Sequence, residues 1–93
     1  MNITFQVNKK TFESDRFRLT LRADGAMLED YEVCSHCWNV KALWDVPTWY
    51  SQRQFYVDTY RVADAITREM LMDCFTSEDI NYIHDELVSF YGQ

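Results

Sequence analysis

The sequence predicts an α+β domain: an antiparallel sheet of three or four strands, built from N-terminal β-hairpins, with two C-terminal helices packed on one face. Three observations carry that prediction. Apolar and polar residues alternate with period two over the first third of the chain. Apolar residues recur at three- and four-residue steps over the last part, from Tyr56 onward. Asp24-Gly25, a strong hairpin signal, separates two of the alternating runs. With 93 residues the chain is read as one domain, 1–93. The sheet occupies about 2–33, an irregular aromatic-rich segment 34–50, and helices about 51–75 and 77–91.

The first strand is marked by Ile3, Phe5 and Val7 alternating with polar neighbours, and Asn8-Lys9-Lys10 reads as a turn. Phe17, Leu19 and Leu21 against Arg16, Arg18, Thr20 and Arg22 give the cleanest alternation. Met27 to Val33 reads as a third strand. A two-residue Asp24-Gly25 loop would set Leu19 opposite Asp30 and Phe17 opposite Glu32. A three-residue loop, Ala23-Asp24-Gly25, sets Leu21 opposite Met27, Phe17 opposite Tyr31, Arg18 opposite Asp30 and Arg16 opposite Glu32. The second register sorts apolar from charged residues, with Leu19 opposite Glu29 as its one mismatch, and is the expected one.

Cys34 to Tyr50 fits either a short helix over 35–44 or a fourth strand using Val40, Ala42, Trp44 and Val46. The first long helix is expected to begin near Ser51, with Tyr56, Tyr60, Ala63, Ile66, Met70 and Cys74 on its apolar stripe. Thr76 is a suitable N-cap for the second, Phe75 and Ile80 supply a hydrophobic staple, and Ile80, Ile83, Leu87 and Phe90 mark the buried face. Gly92 is a natural stop.

The charge distribution narrows the function. Residues 1–22 carry five basic and two acidic groups, whereas residues 23–93 carry four basic and thirteen acidic ones. From Glu69 to Gln93 there are six carboxylates and no Lys or Arg. A nucleic-acid binder needs a concentrated set of cations for phosphate contacts, so direct nucleic-acid binding is not expected. The acidic candidates are Glu69, Asp73, Glu78, Asp79, Asp85 and Glu86. The plainer reading is a solvated helix face, with Glu78 and Asp79 complementing the helix N-terminus. The sharper reading is a surface that engages a basic protein, such as a nucleic-acid-binding protein or complex. In size and charge alone, the chain resembles the small acidic nucleic-acid mimics with which phages and mobile elements block restriction or CRISPR systems. On that reading the carboxylates are exposed and unpaired. A rival patch is aromatic: Trp38, Trp44, Trp49 and Tyr50, which either complete the core or form a partner or homodimer contact.

No catalytic set stands out. The sequence has no glycine-rich phosphate loop, no G-x-S-x-G and no H-E-x-x-H, so an enzyme is not expected. Cys34-Ser35-His36-Cys37 is a C-x-x-C turn, and with Cys74 and His84 it could form a Cys3His zinc set. That set would make the chain a zinc-stabilised adaptor; a further alternative is an accessory subunit of a larger enzyme. The leading expectation is no metal and no other cofactor, with the cysteines as free thiols. The opening MNITFQVNKK has no basic stretch followed by an apolar one, and no apolar run reaches membrane-spanning length. The expected setting is the cytoplasm, away from membranes.

Overall fold

The computed structural model describes residues 1–23, 25–45 and 66–91. Among these residues five antiparallel strands follow one another in space as they do in sequence: β1 (Asn2–Gln6), β2 (Lys9–Glu13), β3 (Phe17–Arg22), β4 (Gly25–Glu32) and β5 (Cys37–Asp45). Among the described residues two helices lie C-terminal to them, α1 (Arg68–Leu71) and α2 (Ser77–Tyr91). The class is therefore α+β, with more strands than the three or four expected. No helix among the described residues is long and apolar enough to cross a membrane.

The additional strand is β2. Lys9 and Lys10, read from the sequence as part of a turn, pair with Gln6 and Phe5. The chain reverses at Val7-Asn8 instead, where Asn8 has a φ of 62°, a conformation asparagine tolerates better than most residues. Further along, Cys37–Asp45 is a strand, so over the described residues the 34–50 segment takes the fourth-strand alternative through Val40, Ala42 and Trp44 rather than the short helix. Val46–Tyr50 and the start of the first long helix lie outside the described residues. Its expected extension to residue 75 does not hold: the helix ends at Leu71, and Cys74 and Phe75 both direct their N–H to the Leu71 carbonyl.

The β3–β4 register differs from both sequence alternatives. Arg22 pairs with Gly25, so the connection closes one residue earlier than expected and Gly25 opens β4 rather than ending the loop. Leu19 then opposes Leu28, Leu21 opposes Ala26, Arg18 opposes Glu29 and Phe17 opposes Asp30. The expected Phe17–Tyr31 and Arg18–Asp30 pairs are not formed. The physical reason is that this register also removes the Leu19–Glu29 mismatch: Leu19 and Leu21 now meet Leu28 and Ala26, and the buried Glu29 carboxylate meets the Arg18 guanidinium. Gly25 has a φ of 144°, a region where a Cβ is unfavourable, so the residue is suited to the strand's first position.

Residues directly opposite on neighbouring strands share a face. Phe12, Leu19, Leu21, Ala26 and Leu28 line one face and are fully buried beneath Ile66, Leu71, Phe75, Ile80, Ile83, Leu87 and Tyr91. The predicted stripe of α2 is correct in Ile80, Ile83 and Leu87, with Phe90 half-buried at its margin. Met70, expected inside, is exposed, and its neighbour Leu71 enters the core. Thr76 caps α2 as predicted, its Oγ1 accepting the Asp79 N–H at 3.2 Å. At the other end of α2, Tyr91 is buried and its hydroxyl reaches the β3–β4 connection: it donates toward the carbonyls of Arg22 (2.7 Å) and Gly25 (3.0 Å) and accepts the Arg22 N–H (3.1 Å). This contact fixes the C-terminal turn of α2 against the sheet.

A β-bulge between Leu28 and Glu29 shifts the pairing with β5: Leu28 pairs with Ala42, but Glu29 pairs with Val40. The bulge changes which face each β5 side chain takes. Ala42 and Trp44 join the core on the helix-covered face, whereas Trp38, opposite Tyr31, lies on the open face.

Candidate protein-binding surface

The cations of the N-terminal region are largely engaged within the fold. Arg18, on the open face, donates from Nε to the buried Glu29 at 2.8 Å, and its Nη1 lies 3.8 Å from Glu13. Its guanidinium stacks 4.2 Å over the Trp38 ring, which in turn meets Tyr31 edge-on at 5.2 Å. The hydrogen bond to Glu29 raises the Arg18 pKa further, against the opposing effect of burial. Arg16 reaches Asp30 at 3.4 Å. On the helix-covered face, Lys10 runs past the rings of Phe5 and Phe90 to form a half-buried ion pair with Glu86.

The carboxylates of α2 remain on its outer side. At about 100° per residue, Glu78, Asp79, Tyr82, Asp85 and Glu86 fall within a sector of about 120°, opposite the buried stripe. Glu78 and Asp85 are exposed and make no ion pair among the described residues. They stand two turns apart, about 10 Å along the axis. Glu86 departs from the expectation that all these groups are unpaired, because Lys10 from β2 reaches it across the sheet–helix interface. Glu69 and Asp73 are exposed on α1 and on the turn after it.

Asp73 and Asp79 come together with a residue the sequence reading did not single out, Asp15. All three line a groove of about 450 Å³ between the Ser14–Phe17 connection and the Met72–Thr76 turn, with Met1 at its margin. Ser14 Oγ links the two segments by donating to the Cys74 carbonyl at 3.1 Å. Only the tertiary fold juxtaposes these segments, so no local pattern in the sequence could have revealed them.

The aromatic candidates do not form one patch. Trp38 and Trp44 are on opposite faces of β5 because of the bulge, and Trp44 packs against the core. Trp49 and Tyr50 lie outside the described residues. The cysteines are likewise separated by environment: Cys34 and Cys37 are exposed at the β4–β5 turn, whereas Cys74 is buried before α2. Among the described residues no three His, Cys, Asp or Glu side chains form a metal-sized cluster, so the structure does not assemble Cys34, Cys37, Cys74 and His84 into the Cys3His set. Burial pushes the Cys74 thiol pKa up. His84 Nε2 is buried without a hydrogen-bond partner.

The β4–β5 turn is held by polar side chains. Asn39 and Ser35 both donate to the Glu32 carboxylate, at 3.0 and 2.9 Å, and lower its pKa. His36 takes a φ of 53° in this turn and places Nδ1 3.4 Å from the Tyr31 hydroxyl. These bonds account for Cys34-Ser35-His36-Cys37 as a hairpin connection. No protein-family model, curated protein or solved structure matches the chain.

Proposed function

We propose that this chain is a non-enzymatic binding module, an inhibitor or regulator, whose acidic α2 surface engages a basic protein. The observation that carries the reading is the cation-free outer sector of α2, where Glu78 and Asp85 stand exposed about 10 Å apart with Asp79 beside them. Among the described residues the cations of the sheet are paired elsewhere or with Glu86: Arg16 binds Asp30, Arg18 binds Glu29, and Lys10 reaches Glu86. Such a surface steers a positively charged partner by long-range attraction and gives an association that falls steeply with salt. A partner that ordinarily binds nucleic acid presents suitable cations, with the carboxylates standing where phosphates would.

The test uses calorimetry with an arginine-rich peptide as probe, at 50 and 300 mM salt. Glu78→Lys with Asp85→Lys should weaken binding about tenfold at low salt and flatten its salt dependence, with little change in melting temperature, because exposed single charges contribute little to folding. Binding that is insensitive to salt and survives both reversals would refute the proposal. The reversals avoid Glu86, whose pairing with Lys10 would confound stability with binding.

A further inference from the structure

Among the described residues β1 pairs on one side only, with β2. Natural edge strands are usually protected by charges, prolines or bulges. Asn2-Ile3-Thr4-Phe5-Gln6 has no charge and no proline, and its pairing with β2 runs without a register shift. Every residue of β1 is exposed, Phe5 at 56%.

The chemistry above this edge specifies what would fit. Ile3 and Phe5 pair with Phe12 and Lys10, so they lie on the face covered by α2. The flank of α2 contacts β2, the strand that β1 pairs with, and reaches Met1 at the start of β1. Asp79 shares a groove with Met1, Tyr82 meets Phe12 edge-on at 6.3 Å, and Glu86 holds Lys10. Lys10 shows how a strand cation uses this surface: its Nζ lies over the Phe5 ring, 5.3 Å from the centroid, and pairs with an α2 carboxylate, Glu86. A lysine or arginine on a strand added outside β1 would approach Phe5 from its other side, and its head would rise toward Asp79, which shares the groove with Met1.

The geometry points to β1 as the docking edge for an extended basic segment of the partner, which pairs with Asn2–Gln6 as a sixth strand and directs alternate Lys or Arg side chains to α2. This rests on the proposed acidic-surface reading and names the shape of the partner it would take. Main-chain hydrogen bonds would supply affinity, and the carboxylates would select for positive charge at every second position.

The experiment uses three end-blocked nine-residue peptides: one alternating lysine and threonine, one with prolines replacing the central threonines, and one with glutamate replacing lysine. Binding is measured by calorimetry at low salt, and amide exchange is followed residue by residue. The lysine–threonine peptide should bind and slow exchange within Asn2–Gln6. The proline peptide should bind at least tenfold more weakly, and the glutamate peptide not at all. Ile3→Lys with Phe5→Lys should also weaken the lysine–threonine peptide about tenfold; the peptide comparison decides if that variant is unfolded. Equal binding of the lysine–threonine and proline peptides, with no protection in β1, overturns strand addition while leaving the acidic-surface reading intact. Equal binding of the glutamate and lysine peptides overturns both. Protection confined to β5 or the open face also overturns the inference.

Discussion

Removing one oxygen, by Tyr91→Phe, tests whether the C-terminal turn of α2 holds the helix in place on the sheet. The ring is buried and would remain so, leaving apolar burial unchanged. What is lost is the hydroxyl between α2 and the β3–β4 connection, which lies within 3.1 Å of Arg22 N, Arg22 O and Gly25 O. The hydroxyl has one proton, so it satisfies one of the two carbonyls fully at any moment and accepts one N–H. Its removal leaves the Arg22 N–H and a carbonyl without this partner. A buried group left unsatisfied costs about 1–3 kcal/mol, and the Arg22 groups are only partly buried, so about 2 kcal/mol is expected. For a domain of this size that corresponds to a fall in melting temperature of about 8–16 °C. Urea denaturation followed by circular dichroism measures it directly; the midpoint should fall while the slope is unchanged. A loss below about 0.5 kcal/mol would refute the assignment of this hydroxyl as a structural lock.

Two other predictions concern the charges and thiols. Lys10→Met and Glu86→Gln should each destabilise the protein by about 1–2 kcal/mol, and a double-mutant cycle should show coupling, because this pair is more enclosed than an ordinary surface pair; additive effects would show that the pair contributes nothing. Under native conditions a thiol-alkylating reagent should modify Cys34 and Cys37 and spare Cys74 until the protein unfolds, because burial both blocks Cys74 and raises its pKa. Modification of all three at one rate, read by mass spectrometry of the peptides, would contradict the placement of Cys74.

The elements that could be read from the sequence were those whose pattern is local. Thr76, Ile80, Ile83 and Leu87 define a helix start and a buried stripe without reference to anything distant. Strand β2 was missed because Asn8-Lys9-Lys10 has turn chemistry, and only its pairing with β1 and β3 makes Lys9 and Lys10 strand residues. The hairpin register was missed because the position of Gly25 suggested a loop residue, when it is the opening residue of β4. The aromatic patch failed for a related reason. Trp38 and Trp44 are six residues apart, an even spacing that would put both on one face of a regular strand, and the bulge opposite Leu28 and Glu29 reverses that parity. The acidic run of α2 was legible as composition, but the diversion of Glu86 to Lys10 and the arrival of Asp15 beside Asp73 and Asp79 depend on contacts across the fold.

The strongest competitor to a functional acidic surface is that the carboxylates serve α2 itself. That account covers Glu78 and Asp79, which sit in the first turn and complement the positive end of the helix dipole. It also covers Glu86, which is stabilised by Lys10. It does not cover Asp85. Asp85 is past the first turn and exposed, and its neighbours four residues away on α2 are Asn81 and Ser89, which carry no charge. A helix optimised for its own stability would place cations at such positions and in its last turn, each worth about 0.3–0.5 kcal/mol, and α2 has none. The uncompensated position is one of the two that the α2 reversal changes. Asp85→Lys is therefore the single substitution that separates the two accounts. If the carboxylates serve only the helix, it should leave stability unchanged or slightly higher and leave association with the arginine-rich peptide untouched. If they form a binding surface, that association should weaken while stability stays the same.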